Sequence, residues 1–147
     1  MKDKDIELAK SKLIEEDFSL VIVNQGKVIF KTQKQGIIGF LEAIEKLRKN
    51  LVGASAADKI VGVAAAMLCV YARVASVFAL TISEEGRKVL GDNNIAYWFE
   101  KKVPNILNRS KNDICPFEKL AMMSADPKKV YVKLKSCTCH VLKKHRP

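Results

Sequence analysis

The sequence predicts one α/β domain of three layers, a mixed β-sheet covered by helices. Three observations carry this reading. Two short apolar runs, residues 18–23 and 27–31, flank Asn24-Gln25-Gly26, and the Asn and Gly there are the types that a tight hairpin turn needs for positive φ. The stretch 58–72 is apolar nearly all round, which places a helix in the interior of a layered fold. After it, apolar strand-like and polar helix-like segments alternate, the pattern of a sheet with crossover helices.

A chain of 147 residues is close to the commonest domain size and is long enough for one hydrophobic core. With 48% hydrophobic and 29% charged residues it is too apolar for a disordered chain and too charged for a membrane protein.

Taken in order, residues 3–17 repeat apolar positions at Ile6, Leu8, Ala9, Leu13 and Ile14, which predicts a surface helix. The hairpin follows. Residues 37–49 read as a second amphipathic helix with Phe40, Leu41, Ile44 and Leu47 on one face. A loop at 50–55 leads into the apolar helix at 58–72, and residues 74–81 form a continuous apolar strand of the kind buried on both faces. Ser83-Glu84-Glu85 opens a short helix that Gly91-Asp92-Asn93-Asn94 ends, and 95–99 is another strand. A polar segment at 101–113 precedes a helix starting near Cys115. From Asp126 onward the chain reads as either a short helix or a final strand. The expected division is a single domain over residues 1–125 and a basic C-terminal extension over 126–147.

Residues 60–82 are apolar apart from Arg73, Ser76 and Thr81, long enough to cross a bilayer. Arg73 in the middle would cost roughly 3 kcal/mol there. The change from Ala-rich to β-branched and aromatic residues at Arg73 instead predicts a buried helix followed by a buried strand, with no membrane contact. Met1-Lys2-Asp3-Lys4-Asp5 leads into a polar stretch rather than a secretion signal, so the expected compartment is the cytoplasm and the four cysteines are expected to be thiols.

The net charge of +10 is unevenly placed. Seven cations and no acid follow Asp126, which leaves +3 for everything before it. Such a basic end either keeps the chain soluble or contacts a polyanion such as nucleic acid.

Gly53-Ala54-Ser55-Ala56-Ala57-Asp58-Lys59-Ile60-Val61-Gly62 with Ala64-Ala65-Ala66, and later Val103-Pro104-Asn105-Ile106-Leu107-Asn108-Arg109 with Cys115-Pro116-Phe117-Glu118, resemble the uncharacterised prokaryotic domain-of-unknown-function family 1893. The likeness runs from about Ile6 to about Met123. It implies a cytidine deaminase-like fold and a site location, and no particular reaction. A zinc deaminase needs a His or Cys two residues before a Glu at one helix start, and Pro-Cys-x-x-Cys at another. Asp58-Lys59-Ile60 offers no such His or Glu, and Cys115-Pro116-Phe117-Glu118 has Glu where the second Cys would stand. Zinc prefers Cys and His, so the chain is not expected to be a zinc-dependent deaminase, and no metal or other cofactor is implied.

Two readings of these motifs stand side by side. As helix starts, Ser55 with Asp58 forms a capping box, and Pro116 with Glu118 a second N-terminal signature, each worth about 1 kcal/mol. As a site, the two helix starts converge on a small anionic, nucleotide-like ligand. Gly53 and Ser55 would then allow close backbone approach, Lys59 would pair with the anion, and Asn108 and Arg109 would complete the contacts. Cys115 is the candidate nucleophile, with Asp58 or Glu118 as acid or base. In the tail, Cys137-Thr138-Cys139-His140 lacks the paired spacing of a zinc module, and Cys69 reads as core. Tyr97 and Trp98 are expected to cover the sheet. The alternative function is an RNA- or partner-binding protein acting through the basic tail.

Overall fold

A computed structural model describes residues 2–108 and 110–144, with side chains over 4–108 and 110–138. Among these residues the strands are β1 (Leu20–Asn24), β2 (Lys27–Thr32), β3 (Ser55–Val61), β4 (Ser76–Ser83) and β5 (Ala96–Val103). The helices are α1 (Lys2–Glu15), α2 (Ile38–Leu47), α3 (Val63–Ala72), α4 (Glu84–Asp92), α5 (Pro116–Ala121) and α6 (Pro127–Lys144), with a single 3-10 turn at Arg48–Leu51. The sheet order is β2-β1-β3-β4-β5. β1 pairs antiparallel with β2 and β3, whereas β3, β4 and β5 run parallel. The sheet is therefore mixed and the class is three-layer α/β, as the sequence predicts.

The hairpin closes through Gln25 and Gly26, both with positive φ (51° and 79°). Two such residues give the turn the right-handed twist of its strands. The first of them is Gln25 rather than Asn24, whose side chain instead donates to the Asn50 carbonyl at 3.0 Å. Asp5 of α1 accepts both turn amides, at 3.0 and 2.9 Å, and so ties the first helix to the hairpin.

Side chains alternate across the sheet. Val21, Val23, Ala57 and Phe78 face α1 and pack on Ile6, Ala9 and Leu13. Ile22, Ala56, Val77 and Ala79 face the other way, into the larger core that α2 to α6 share. Small residues on β3 let α3 lie close over the centre of the sheet, which explains a helix buried along almost its whole length.

One expectation is corrected. Residues 55–61 form a strand, and the apolar helix starts at Val63, not Asp58. Alanine is the best helix former, but intrinsic propensity amounts to only a few tenths of a kcal/mol per residue and yields to tertiary context. Here β3 has ladder partners on both sides, and those hydrogen bonds together with burial override the local preference. At the C-terminus Pro127–Lys144 is helical, one of the two forms the sequence allows, and Val130 and Leu134 are fully buried in the main core against α3 and α5.

Replacing Leu134 by Ala should therefore cost about 2–4 kcal/mol in urea unfolding, the price of a core leucine. A loss below about 0.5 kcal/mol would return α6 to the status of an appendage.

Candidate functional site

At the C-terminal end of β3 lies a cleft of about 580 Å³. Parallel strands leave a crevice at this end, where helix starts and connecting loops meet. The starts of α2 (Gln35 to Ile38) and α3 (Gly62, Ala64, Ala65) form two walls, and the segment from Ile106 to Glu118 forms the third. The lining is mainly apolar, and Ile60 and Leu107 stand about half exposed at it.

Glu118 organises this cleft. Its side chain is buried, and its two oxygens accept from the Val63 and Ala64 amides, each at 2.7 Å. These are first-turn N–H groups of α3, which no side chain of its own caps. A carboxylate from 54 residues further along the chain caps the helix and meets the positive end of its dipole. Burial pushes the Glu118 carboxyl above its ordinary range, against the pull of the two amides. Pro116 at the start of α5 and Cys115 at its N-cap set the short helix that presents Glu118. Gly62 completes the fit, since a Cβ there would stand 1.9 Å from Glu118 Oε1 and 2.7 Å from Ile106 Cγ1.

Asp58 lies at the middle of β3 and lines the cleft. It accepts a long hydrogen bond, 3.3 Å, from the Ile60 amide, the Lys59 amide also favours its charged form, and among the described residues it has no cationic partner. Burial pushes it up from 3.8 to about 7. The cleft thus holds two carboxyls in different states: one buried and committed to the amides of another element, the other half-buried and held only by its own neighbouring backbone.

The sequence-derived candidates divide accordingly. Asp58, Lys59, Asn108, Cys115 and Glu118 do share the cleft. Lys59 pairs with Asp17 at 2.8 Å, and Asn108 exchanges side-chain hydrogen bonds with Asn112 across its own loop. Ser55 and Gly53 do not belong, because they lie at the opposite end of β3. The Ser55 hydroxyl is buried against that of Ser76 at 2.7 Å, and Gly53 occupies a loop at φ +78°. Neither Ser55 nor Asp58 caps a helix, since both are in a strand. Arg109 lies outside the described residues, as do the side chains of Cys139 and His140. Cys137 is exposed, and the buried Cys69 thiol is pushed up by burial. Tyr97 accepts from Arg87 and is partly covered, whereas Trp98 is half exposed on the edge strand, so only the first covers the sheet as expected. Gly62 and the start of α2 were not singled out from the sequence, although a glycine immediately before Val63-Ala64-Ala65-Ala66 was the available signal.

The donors do not suit zinc. Gln35-Gly36-Ile37 at one helix start and Gly62-Val63-Ala64 at the other carry neither His nor Cys. Among the described residues no three His, Cys, Asp or Glu are grouped to hold a metal ion. Nor is any described helix long and apolar enough to cross a membrane.

Gly62 and Glu118 are coupled by contact, so their substitutions should not add. Gly62→Ala alone should destabilise by about 2–4 kcal/mol, and in Glu118→Ala the extra cost of the glycine change should fall by more than 1 kcal/mol. Additive losses in denaturant unfolding would contradict the cradle.

Comparison with known proteins adds the family. No curated protein matches the chain. A crystal structure of a DUF1893 family protein (TM1506) from Thermotoga maritima is 26% identical with a TM-score of 0.84, covering 92% of this chain and 91% of that one. Lesser likenesses are to deaminase folds. A dCMP deaminase from the cyanophage S-TIM5 is 12% identical at TM-score 0.46, over 69% of this chain and 96% of that one. A diaminohydroxyphosphoribosylaminopyrimidine deaminase/5-amino-6-(5-phosphoribosylamino)uracil reductase from Thermotoga maritima is 17% identical at 0.47, over 82% of this chain and 40% of that one. The family model described as TM1506, a domain of unknown function (DUF1893), matches residues 8–137, and the chain belongs to that family.

Proposed function

We propose that the chain binds a small nucleotide-like molecule in the cleft at the end of β3, with Asp58 accepting hydrogen bonds from a planar, N–H-bearing heterocycle. The observation that carries this reading is the Asp58 carboxyl itself. It lines an apolar cleft, has no cationic partner among the described residues, and is held only by its own neighbouring backbone. A half-satisfied carboxyl costs stability, and a pair of N–H donors would satisfy it. The exposed Ile60 and Leu107 offer apolar surface to a flat ring.

An anionic group on the same ligand fits beside α2 rather than α3. Glu118 already takes the first amides of α3. The start of α2 has no side-chain cap and no acidic residue in its first turn, and its residues line the cleft. Lys59 is engaged with Asp17 and plays a secondary part. Glu118 is committed as a cap, which removes it from acid–base work and favours binding over turnover. Cys115 then borders the ligand without attacking it.

The pH dependence follows in sign. In the folded chain Asp58 keeps its proton up to about pH 7, whereas unfolded it releases it near 3.8. The stability it contributes is complete below about pH 4 and is lost as the pH rises through 7. Asp58→Asn should flatten that slope and raise Tm at pH 8 by several degrees, at about 2–4 °C per kcal/mol.

Thermal shift against nucleobases, nucleosides and nucleotides at pH 8 tests the binding. A ligand at a hundred times its Kd should add about 2.7 kcal/mol. The expected hit weakens at pH 5.5, vanishes in Asp58→Asn and survives in Cys115→Ser. A hit lost in Cys115→Ser but kept in Asp58→Asn would assign the cleft to thiol chemistry, and no hit at all would sink the reading.

A further inference from the structure

A second cleft, of about 430 Å³, opens at the other end of the parallel strands. It lies where the 3-10 turn, the end of α3 and the middle of α6 meet, beyond the Ser55 end of β3, which is itself about 10 Å from Asp58. Four cations line it: Arg48, Lys49, Arg73 and Lys135. One acid faces them, Glu45, which is paired with Lys135 and accepts from the Tyr131 hydroxyl at 3.2 Å. Among the described residues Arg48, Lys49 and Arg73 form no salt bridge, and Arg48 Nε donates to the Glu45 carbonyl at 3.4 Å, so four cations line the cleft against one acid.

The two arginines occupy backbone positions that favour glycine. Arg48 has φ 47° and ψ −119°, and Arg73, at the end of α3, has φ 60° and ψ 40°. Left-handed positions are taken by Gly26, Gly36 and Gly53 and also by Asp17, Gln25, Asn94 and Lys111, and of the non-glycine set only Arg48 and Arg73 line this cleft. The strained pair is held firmly, since the Arg73 carbonyl accepts from the Gly53 amide at 2.9 Å and the Arg73 amide bonds back to Val70 at 3.1 Å. Strained non-glycine residues that border one cleft mark places where the side chain matters more than backbone ease.

We infer that this basic cleft binds a multiply charged phosphate group, of the triphosphate or polyphosphate class. Converging guanidinium groups match phosphate oxygens in pairs, which lysine alone does not provide. Tyr71 and Tyr131 stack on each other at 4.4 Å, and Lys135 lies over the Tyr131 ring. That pairing makes the tyrosines a floor rather than a platform for bases, so the small anion is favoured over single-stranded RNA.

Arginine-to-glycine variants separate function from folding, because glycine suits both backbone positions. Arg48→Gly and Arg73→Gly should keep or raise Tm, by up to about 2–4 °C. Titration calorimetry with inorganic triphosphate at low salt should show binding by the parent, weakened at least tenfold in each variant and lost in the double variant. Asp58→Asn should bind triphosphate like the parent, which keeps this site distinct from the nucleotide cleft. No triphosphate binding by the parent, or unchanged affinity in the double variant, would overturn the inference. So would a single-stranded oligonucleotide that binds far more tightly than triphosphate, with a salt dependence of more than four phosphates.

Discussion

The start of α3 depends on a carboxylate that arrives from 54 residues away, and much of the rest of the fold follows from that contact. A buried helix with no capping side chain of its own leaves first-turn N–H groups in a place that water reaches poorly. Glu118 satisfies two of them at once, with short charge-assisted bonds. The elevated Glu118 carboxyl shows that the amides do not fully offset its burial. Its service is positional: removing it would orphan two amides and leave α5 without its anchor on α3. Gly62 and Gly86 belong to the same constraint. A side chain at Gly62 would strike Glu118, and one at Gly86 would come within 2.9 Å of the Gly62 backbone. Thus α3, α4 and α5 meet around one glycine that has no room to be anything else.

That arrangement gives the cleft its chemistry. With the α3 dipole met from within the protein, no external anion is needed there, and the remaining polar demand falls on Asp58 and on the uncapped start of α2. Asp58 and Glu118 are alike in type and opposite in circumstance. One is held by two amides of another element and works for the fold, whereas the other is held only by its own neighbouring backbone. Burial raises both, so the difference lies in hydrogen bonding and not in desolvation alone.

The sequence conveyed the local features well and the non-local ones poorly. The hairpin, the amphipathic α2, the Ser83 cap of α4 (its hydroxyl accepts from the Gly86 amide at 3.0 Å) and Pro116 at the head of α5 each depend on neighbours within a few residues, and each is where it was expected. β3 was misread because Ala56, Ala57 and Asp58 carry no strand signal of their own, and only the flanking strands make them extended. The same error displaced the helix start by five residues and drew Ser55 and Gly53 into the site. Five of the eight candidate residues nonetheless share the cleft, because the loop at 106–118 was recognised as facing a helix start, even though the start was placed too early. For the basic C-terminus the sequence leaves helix and strand both open. That Val130 and Leu134 alternate with those lysines at helical spacing, burying one face of α6, becomes apparent only when α3 is there to receive it.

Both clefts are bounded by the same helix. α3 spans ten residues, about 15 Å, with Gly62 at one end and Arg73 at the other. Its interior is apolar and buried, so it has no polar face to present, and all its electrostatics are concentrated at its ends. Glu118 places negative charge at the positive end, and Arg73 places positive charge at the negative end, each the favourable sign. A guanidinium in that position does two jobs of opposite sense: it offsets the helix carbonyls and still presents N–H donors outward to an anion. A glycine would relieve the backbone at Arg73 but would leave the C-terminal carbonyls as the nearest charges, a poor wall for any phosphate. The strained arginine is therefore the residue that allows an anion to approach the end of α3 that would otherwise repel it.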